Sequence, residues 1–291
     1  MTTRRGTEWV AGLRRIREDR LALAGALILL ALVACAVLAP VLAPYPEDVR
    51  EVHPAARLLP PSRTHLLGTD RLGGDILSRL LFGARITIVI AVVAVGAAIV
   101  VGVPLGLVAG YVRGWLGDVV MRIADVFLAV PQIVLAIAIA QTLGPSLPNV
   151  ILALSATYWP WFTRIVYAET RSTLSETFVE ATRGLGSSPH RLVLLHVLPN
   201  VASPIIIRAS LGMGFTILTA AALGFLGLGA EPYSPEWGRT IAESRSYLPD
   251  AWWYAAAPGV AIFLVVMGFN LLGDGLRDIL DPRIRNALPA R

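Results

Sequence analysis

Long uncharged stretches set the rhythm of this chain. A helix needs about 20 apolar residues to cross a hydrocarbon core about 30 Å thick, so the intervals between charges are informative. Leu21–Ala39 lies between Arg20 and Pro40, and Ile86–Val112 between Arg85 and Arg113. Between Asp125 and Arg164 stand 38 residues without a charge, too many for one crossing and enough for two. The break at Gly144-Pro145-Ser146-Leu147-Pro148-Asn149 ends one helix and starts another. It predicts a third span at Val120–Leu143 and a fourth at Val150–Val166, with Arg164 snorkelling at its end. A fifth lies between Arg208 and Glu231, and a sixth between Asp250 and Asp274. The pattern predicts an all-α integral membrane protein with six transmembrane helices.

Composition agrees with that class. Of 291 residues 55% are hydrophobic and 15% charged, against about 25% charged in soluble domains. The first apolar run is about 19 residues, longer than the 7–15 of a signal peptide. Ala39 and Ala43 resemble a cleavage site, but an uncleaved anchor is the better reading.

The distribution of arginine orients the spans. With the N-terminus inside, 17 arginines fall on the inner side and eight outside, which puts both termini in the cytoplasm. The outer loop 44–85 runs against the trend with six arginines, offset by Glu47, Asp48, Glu51, Asp70 and Asp75. Within it Leu66–Leu81 alternates Asp70, Arg71, Asp75 and Arg79 with Leu72, Ile76, Leu77 and Leu80, which suits an amphipathic helix lying at the outer interface.

Every one of the 25 basic residues is arginine. Without lysine the chain has no Walker-type phosphate loop and no Schiff-base chemistry; if ATP drives it, another subunit hydrolyses the ATP, and this chain needs no cofactor. Cys35 is alone, so it forms no intrachain disulfide and serves as a small packing residue. His53, His65, His190 and His196 lack zinc-type spacing, and no metal site is expected. The basic pI near 9.9 comes from arginines flanking apolar segments, so nucleic acid is not an expected partner.

The most informative segment is the inner loop Tyr167–Ser203. A helix through Glu180 breaks at Gly184 and Gly186; Ser188 then caps a second helix with Pro189 at its first position, and that helix is expected to stop before Pro199. This describes a helix–turn–helix projecting into the cytoplasm. An ordinary loop, a DNA-binding element and a docking element for a partner protein are the possible uses. Docking fits best, because Ala181 admits a close backbone and Gly186 sets a tight bend.

Residues Glu180, Ala181, Gly186, Leu198 and Pro199 stand at the spacing Glu-Ala-Ala, three residues, Gly, nine residues, Ile-x-Leu-Pro. Thr182 replaces the second alanine and His196 the isoleucine. The segment resembles the EAA motif of permease subunits of ABC importers, and its His-x-Leu-Pro-Asn ending resembles the dipeptide/oligopeptide/nickel branch. Leu67–Arg79 with Gly83-Ala84-Arg85, Pro235-Glu236-Trp237-Gly238 and Phe269–Asp278 are similar to the C-type partner of such permease pairs. The resemblance spans about residues 65–283. It implies a type I ABC importer permease fold in the bacterial cytoplasmic membrane. It also implies a sister permease, a cytoplasmic ABC ATPase, an extracytoplasmic peptide-binding protein and a di- or oligopeptide cargo, with nickel or glutathione as alternatives. Glu180, Ala181, Thr182, Gly186, Leu198 and Pro199 would then dock the ATPase.

The expected organisation is a cytoplasmic tail (1–20), an anchor helix (21–43), an outer loop (44–83), an ABC type-1 transmembrane domain (84–274) with a coupling loop at 167–203, and a cytoplasmic tail (275–291). Gly102, Gly106 and Gly110 form a small-residue stripe suited to helix packing; Gly224, Gly227 and Gly229 suggest the same. Asp125 is expected to pair with Arg122, one turn earlier. Gln132, Gln141 and Asn270 are candidates for lining a pathway. A secondary transporter would need acids or ion sites near the midplane, which the span centres lack, and no nucleophile–base set marks a membrane enzyme.

Overall fold

The computed structural model describes residues 19–49, 51–112, 114–231 and 233–280. Arg4, Arg5, Arg14, Arg15, Arg17, Arg50, Arg113, Arg283, Arg285 and Arg291 lie outside the described residues, and so does most of each tail on which the orientation argument drew. The described residues are largely helical and contain no named strand.

Helix α1, Arg20–Leu42, begins at Asp19, whose carboxylate accepts from the amides of Leu21 at 2.9 Å and Ala22 at 3.3 Å. Its buried stripe is Ala22, Gly25, Leu32, Ala36 and Ala39, while Leu27, Leu30, Val37 and Val41 face outward. Small residues inside and large apolar residues outside are what a helix packed in lipid requires. The small face meets α9, Trp252–Leu280: a Cβ on Gly25 would stand 2.7 Å from the Leu272 nitrogen and 2.8 Å from the Gly268 oxygen. Cys35 packs beside Ala39, Ala43 and Leu81.

Helix α2, Ile76–Tyr111, has 36 residues, about 54 Å at 1.5 Å rise per residue. Residues 66–75 form turns and an isolated bridge between Thr69 and Asp75, and the helix starts only at Ile76. The amphipathic interface helix expected at Leu66–Leu81 is therefore absent. The charges that suggested it are spent on a folded loop, and Ile76–Leu81 is the first part of a span.

The next two helices correct the third expected span. Helix α3, Trp115–Ala129, and helix α4, Gln132–Leu143, meet at an angle of 88° across Val130-Pro131. Pro131 has no amide to donate and its ring blocks the preceding turn, so Val120–Leu143 is a broken element rather than one straight helix.

Helix α5, Leu147–Leu174, starts at Ser146, whose hydroxyl accepts from the Asn149 amide at 3.3 Å. It overshoots the expected fourth span at both ends and packs along α2. Val150, Leu154, Tyr158, Phe162, Thr163 and Val166 are buried. It falls short of a membrane span in apolarity, because Ser155, Thr157, Thr163 and Arg164 interrupt it. Thr157 and Thr163 are buried against neighbouring helices, while the exposed Arg164 pairs with Asp125.

After the short helix α6, Thr177–Gly184, a 37-residue helix α7 runs from Pro189 to Phe225. It passes through a π-helical turn at Val193–Val197. The second helix of the inner loop therefore does not stop before Pro199. The wide turn just ahead of the proline accommodates its missing donor, and the helix continues into the membrane. Helix α8, Trp237–Ser244, precedes α9. By length and apolarity α1, α2, α7 and α9 qualify as spans, and the bent pair α3–α4 makes a fifth if counted as one.

Candidate coupling element and its outer counterpart

At one end of the bundle the chain leaves α5 at Ser175, turns and enters α6. Val179 is fully buried against the bundle, while Glu180 and Ala181 are exposed. Thr182 is half-buried and its hydroxyl donates to the Phe178 carbonyl at 2.7 Å. The helix closes with the Leu185 amide on Ala181 O at 3.1 Å and the Gly186 amide on Arg183 O at 2.9 Å. Gly186 has φ +82°, a left-handed conformation that glycine adopts freely at a helix end. A Cβ there would meet nothing within 4 Å, so its requirement is for backbone conformation. Ser188 occupies the capping position ahead of Pro189, but its side chain makes no cap hydrogen bond. Leu198 and Pro199 are half-buried at the base of α7, beyond the π turn.

The residue that sequence reasoning passed over is Leu185. It lies between two glycines at the tip of this bend and is 88% exposed, the most exposed of the large apolar side chains among the described residues. Phe178, Leu194 and Leu195 are also uncovered nearby. A leucine between Gly184 and Gly186 in an otherwise polar loop was the available signal, since apolar tips of this kind mark partner contacts.

The element is tied to the bundle. The Arg183 guanidinium lies 5.8 Å from the Tyr111 ring centre at the end of α2. Asp125 on α3 pairs with Arg164 on α5, not with Arg122 as expected. A partner on a neighbouring helix was invisible to spacing rules.

Gly102, Gly106 and Gly110 all face α5. A Cβ on Gly102 would stand 2.5 Å from Trp159 O, one on Gly106 2.7 Å from Thr163 O, and one on Gly110 2.7 Å from Thr170 Cβ. The Thr163 hydroxyl donates to Gly102 O at 3.2 Å across this seam. Gly224 and Gly229 serve contact too, against Glu236 of the α8 entry and against each other, whereas Gly227 has φ +80° and nothing within 4 Å. Among the pathway candidates, Gln132 is half-buried at the start of α4, Gln141 is exposed, and the exposed Asn270 donates to Val266 O of its own helix at 2.9 Å.

At the other end of α2 the preceding loop, residues 44–49 and 51–75, is held by buried carboxylates. Asp70, fully buried, accepts from the amides of Leu72 at 2.7 Å and Gly74 at 2.9 Å and pairs with Arg79 Nε at 3.1 Å. Asp75 caps α2 by accepting from the Ser78 amide at 2.8 Å and contacts His65 Nδ1 at 3.1 Å. Asp48 accepts from the Asp75 amide at 2.8 Å and reaches His53 at 3.1 Å. Gly73, at φ +85°, lies so close to the His53 carbonyl that no side chain fits. Arg71 extends to α8 and grips Glu243 with Nε and Nη2, each at 3.1 Å; Glu243 also accepts from Arg239 and the Tyr254 hydroxyl. Burial pushes the Glu236 carboxyl up, and two backbone amides that cap α8 offset this only in part. Among the described residues no group of three or more His, Cys, Asp or Glu is placed to hold a metal ion.

Two ends of one long helix thus carry different devices: a rigid polar clamp and an exposed apolar bend. A family model described as "binding-protein-dependent transport system inner membrane component" matches residues 102–286. The chain belongs to this family. Its N-terminal residues 7–61 match the N-terminal transmembrane domain of oligopeptide transport permease C. A dipeptide transport system permease protein of Alkalihalophilus pseudofirmus is 42% identical over 278 residues, covering 96% of this chain and 91% of that one. A di/tripeptide permease protein of Pseudomonas aeruginosa is 43% identical, covering 91% and 89%. A glutathione transport permease protein of Pectobacterium atrosepticum is 41% identical, covering 96% and 93%. The fold matches that of the methionine ABC transporter MetNI, with TM-score 0.56 at 21% identity over 69% of this chain and 96% of that one. The permease is thus a multi-pass inner membrane component of an ABC transport system.

Proposed function

We propose that this permease is one half of the membrane pathway of an importer for di- and oligopeptides. It works with a sister permease, a cytoplasmic ATPase and an extracytoplasmic binding protein, within a lipid bilayer. The peptide permeases among its relatives support the cargo. Six spans with both termini cytoplasmic complete the reading: α5 counts as a shielded span and α3–α4 as a broken one. ATP hydrolysis belongs to the ATPase, since a chain without lysine has no Walker loop to hold nucleotide.

The observation that carries the docking role is the exposed bend at Glu180–Gly186, with Leu185 uncovered at its tip while Val179 anchors it. Leu185→Asp and Gly186→Val are expected to abolish co-purification of the ATPase while membrane insertion is retained. Full ATPase association in both variants would reject the assignment. A cysteine introduced at Ser187, in a Cys35→Ser background, should be labelled only from the cytoplasmic side; labelling from outside would overturn the topology.

Glutathione is a second reading of the cargo, because glutathione permeases stand at similar identity. Competition between dipeptide and glutathione for uptake by the assembled system separates the two, and nickel uptake tests the third member of the branch.

A further inference from the structure

Arg208 lies on α7, 17 residues before its outer end at Phe225, or about 26 Å at 1.5 Å per residue. Its guanidinium carbon is 4.5 Å from the ring centre of Trp161 and 5.5 Å from that of Tyr158, both on α5. Two aromatic faces are a favourable seat for a cation, but they leave its hydrogen-bonding edge unused. The Arg208 Nε is buried without a hydrogen-bond partner. Among the described residues no carboxylate lies within ion-pair distance of it. Arg164, one turn beyond Trp161, is by contrast neutralised by Asp125.

The aromatic seat is open. Trp161 is 40% exposed on the single chain, so the cation stands at a surface that lipid, a water-filled route or a neighbouring subunit must cover. At about 26 Å from the outer end of a core about 30 Å thick, Arg208 stands near the inner boundary of the membrane, where an arginine faces a bundle interior or an aqueous cavity in preference to hydrocarbon. Its planar fork matches phosphate and, approached edge-on with two parallel N–H donors, carboxylate. A peptide carries that group at its C-terminus whatever its side chains. Held by rings instead of by a fixed acid, the fork remains available to a partner that comes and goes.

We infer that Arg208, seated on Trp161 and Tyr158, is the residue of the translocation route that reads the carboxylate of the passing cargo. This rests on the peptide reading above and adds a specificity-determining residue to it.

The test uses the complete transporter in liposomes, with dialanine and its C-terminal amide as cargo. Each uptake rate is divided by the separately measured fraction of binding protein loaded. Arg208→Met keeps the alkyl stem over the rings and removes the charge. Loss of a charge-assisted bond is expected to lower dialanine uptake by about tenfold or more, while uptake of the amide changes by less than about twofold. Arg208→Lys is expected to retain the preference for the free acid. Equal loss for both cargoes in Arg208→Met, or no loss for either, would overturn the inference. So would a defect that appears only in vesicles containing phosphatidylglycerol, which would assign Arg208 to a lipid headgroup. If the methionine variant does not assemble, the lysine variant decides, and its failure to prefer acid over amide refutes the role. A wild-type complex that imports nickel and neither dialanine nor its amide would instead reject the peptide reading itself.

Discussion

The Arg183 guanidinium lies 5.8 Å from the centre of the Tyr111 ring, joining the last turn of α6 to the last residue of α2. The bend is therefore fastened to the helix whose other end begins in the polar clamp. A cation–π contact at an exposed site contributes about 0.5–1 kcal/mol. Tyr111→Leu should leave assembly with the ATPase intact and lower the number of cargo molecules moved per ATP by about two- to fivefold. Parallel measurement of uptake and phosphate release checks this; an unchanged ratio would show that the contact carries no coupling.

The α2–α5 seam should be intolerant of added volume. Gly106→Val places carbon atoms where Thr163 O and Val166 already stand at 2.7 Å from a first Cβ, and overpacking of this kind costs about 1–3 kcal/mol. Gly96 on the same helix has nothing within 4 Å of such a Cβ, so Gly96→Ala should be neutral or stabilising by up to about 1 kcal/mol. Melting temperatures in detergent should fall for the first variant and hold or rise for the second. Similar behaviour in both would mean that the seam is looser than its distances say.

In the polar clamp Asp70 is fully buried and Arg79 is 5% exposed. Removing one partner of such a pair strands a buried charge, at about 3–5 kcal/mol. Asp70→Leu and Arg79→Met should each sharply reduce the protease resistance of residues 44–79. The double substitution should be milder than the sum of the two, and strict additivity would rule out the pairing.

Acid should weaken the link between that loop and α8. Burial alone would raise the Glu243 carboxyl, but hydrogen bonding and charge attraction from Arg71, with help from Arg239 and Tyr254, outweigh it and hold it below its ordinary value. A carboxyl depressed in the folded state stabilises above its unfolded pKa, about 4.3. That contribution is lost as pH falls through the lower folded value. The melting-temperature difference between wild type and Arg71→Met should therefore be full at neutral pH and narrow below about pH 4. A difference that widens in acid would contradict the sign.

The helices with the longest apolar runs were legible as uncharged stretches: Leu21–Ala39 predicts α1 within a few residues, and the run between Asp250 and Asp274 lies inside α9 but for Ala251. Legibility failed where neighbours decide. The run Val150–Val166 predicted a span inside α5, but not that the helix extends from Leu147 to Leu174 with Thr157 and Thr163 buried against its neighbours. Pro131 stands in a continuous apolar run, and hydropathy gives no hint of an 88° bend. The alternation of Asp70, Arg71, Asp75 and Arg79 mimics an amphipathic helix because period alone cannot show that Asp70 binds Arg79, Asp75 caps α2 and Arg71 crosses to α8. In the inner bend the glycines were legible as turn residues. The place of Leu185 between Gly184 and Gly186 hinted at its exposure, but the side of α6 that Val179 turns toward the bundle was not legible.

Because the π turn lets α7 continue past Pro199, the helix runs from Pro189, just after the bend, to Phe225 as a single rod about 55 Å long. Such a rod multiplies displacement: tilting it by about 10° about Pro189 would carry Phe225 sideways by about 10 Å, for a length of about 55 Å. A small rearrangement at the Pro189 end is thereby amplified at the Phe225 end.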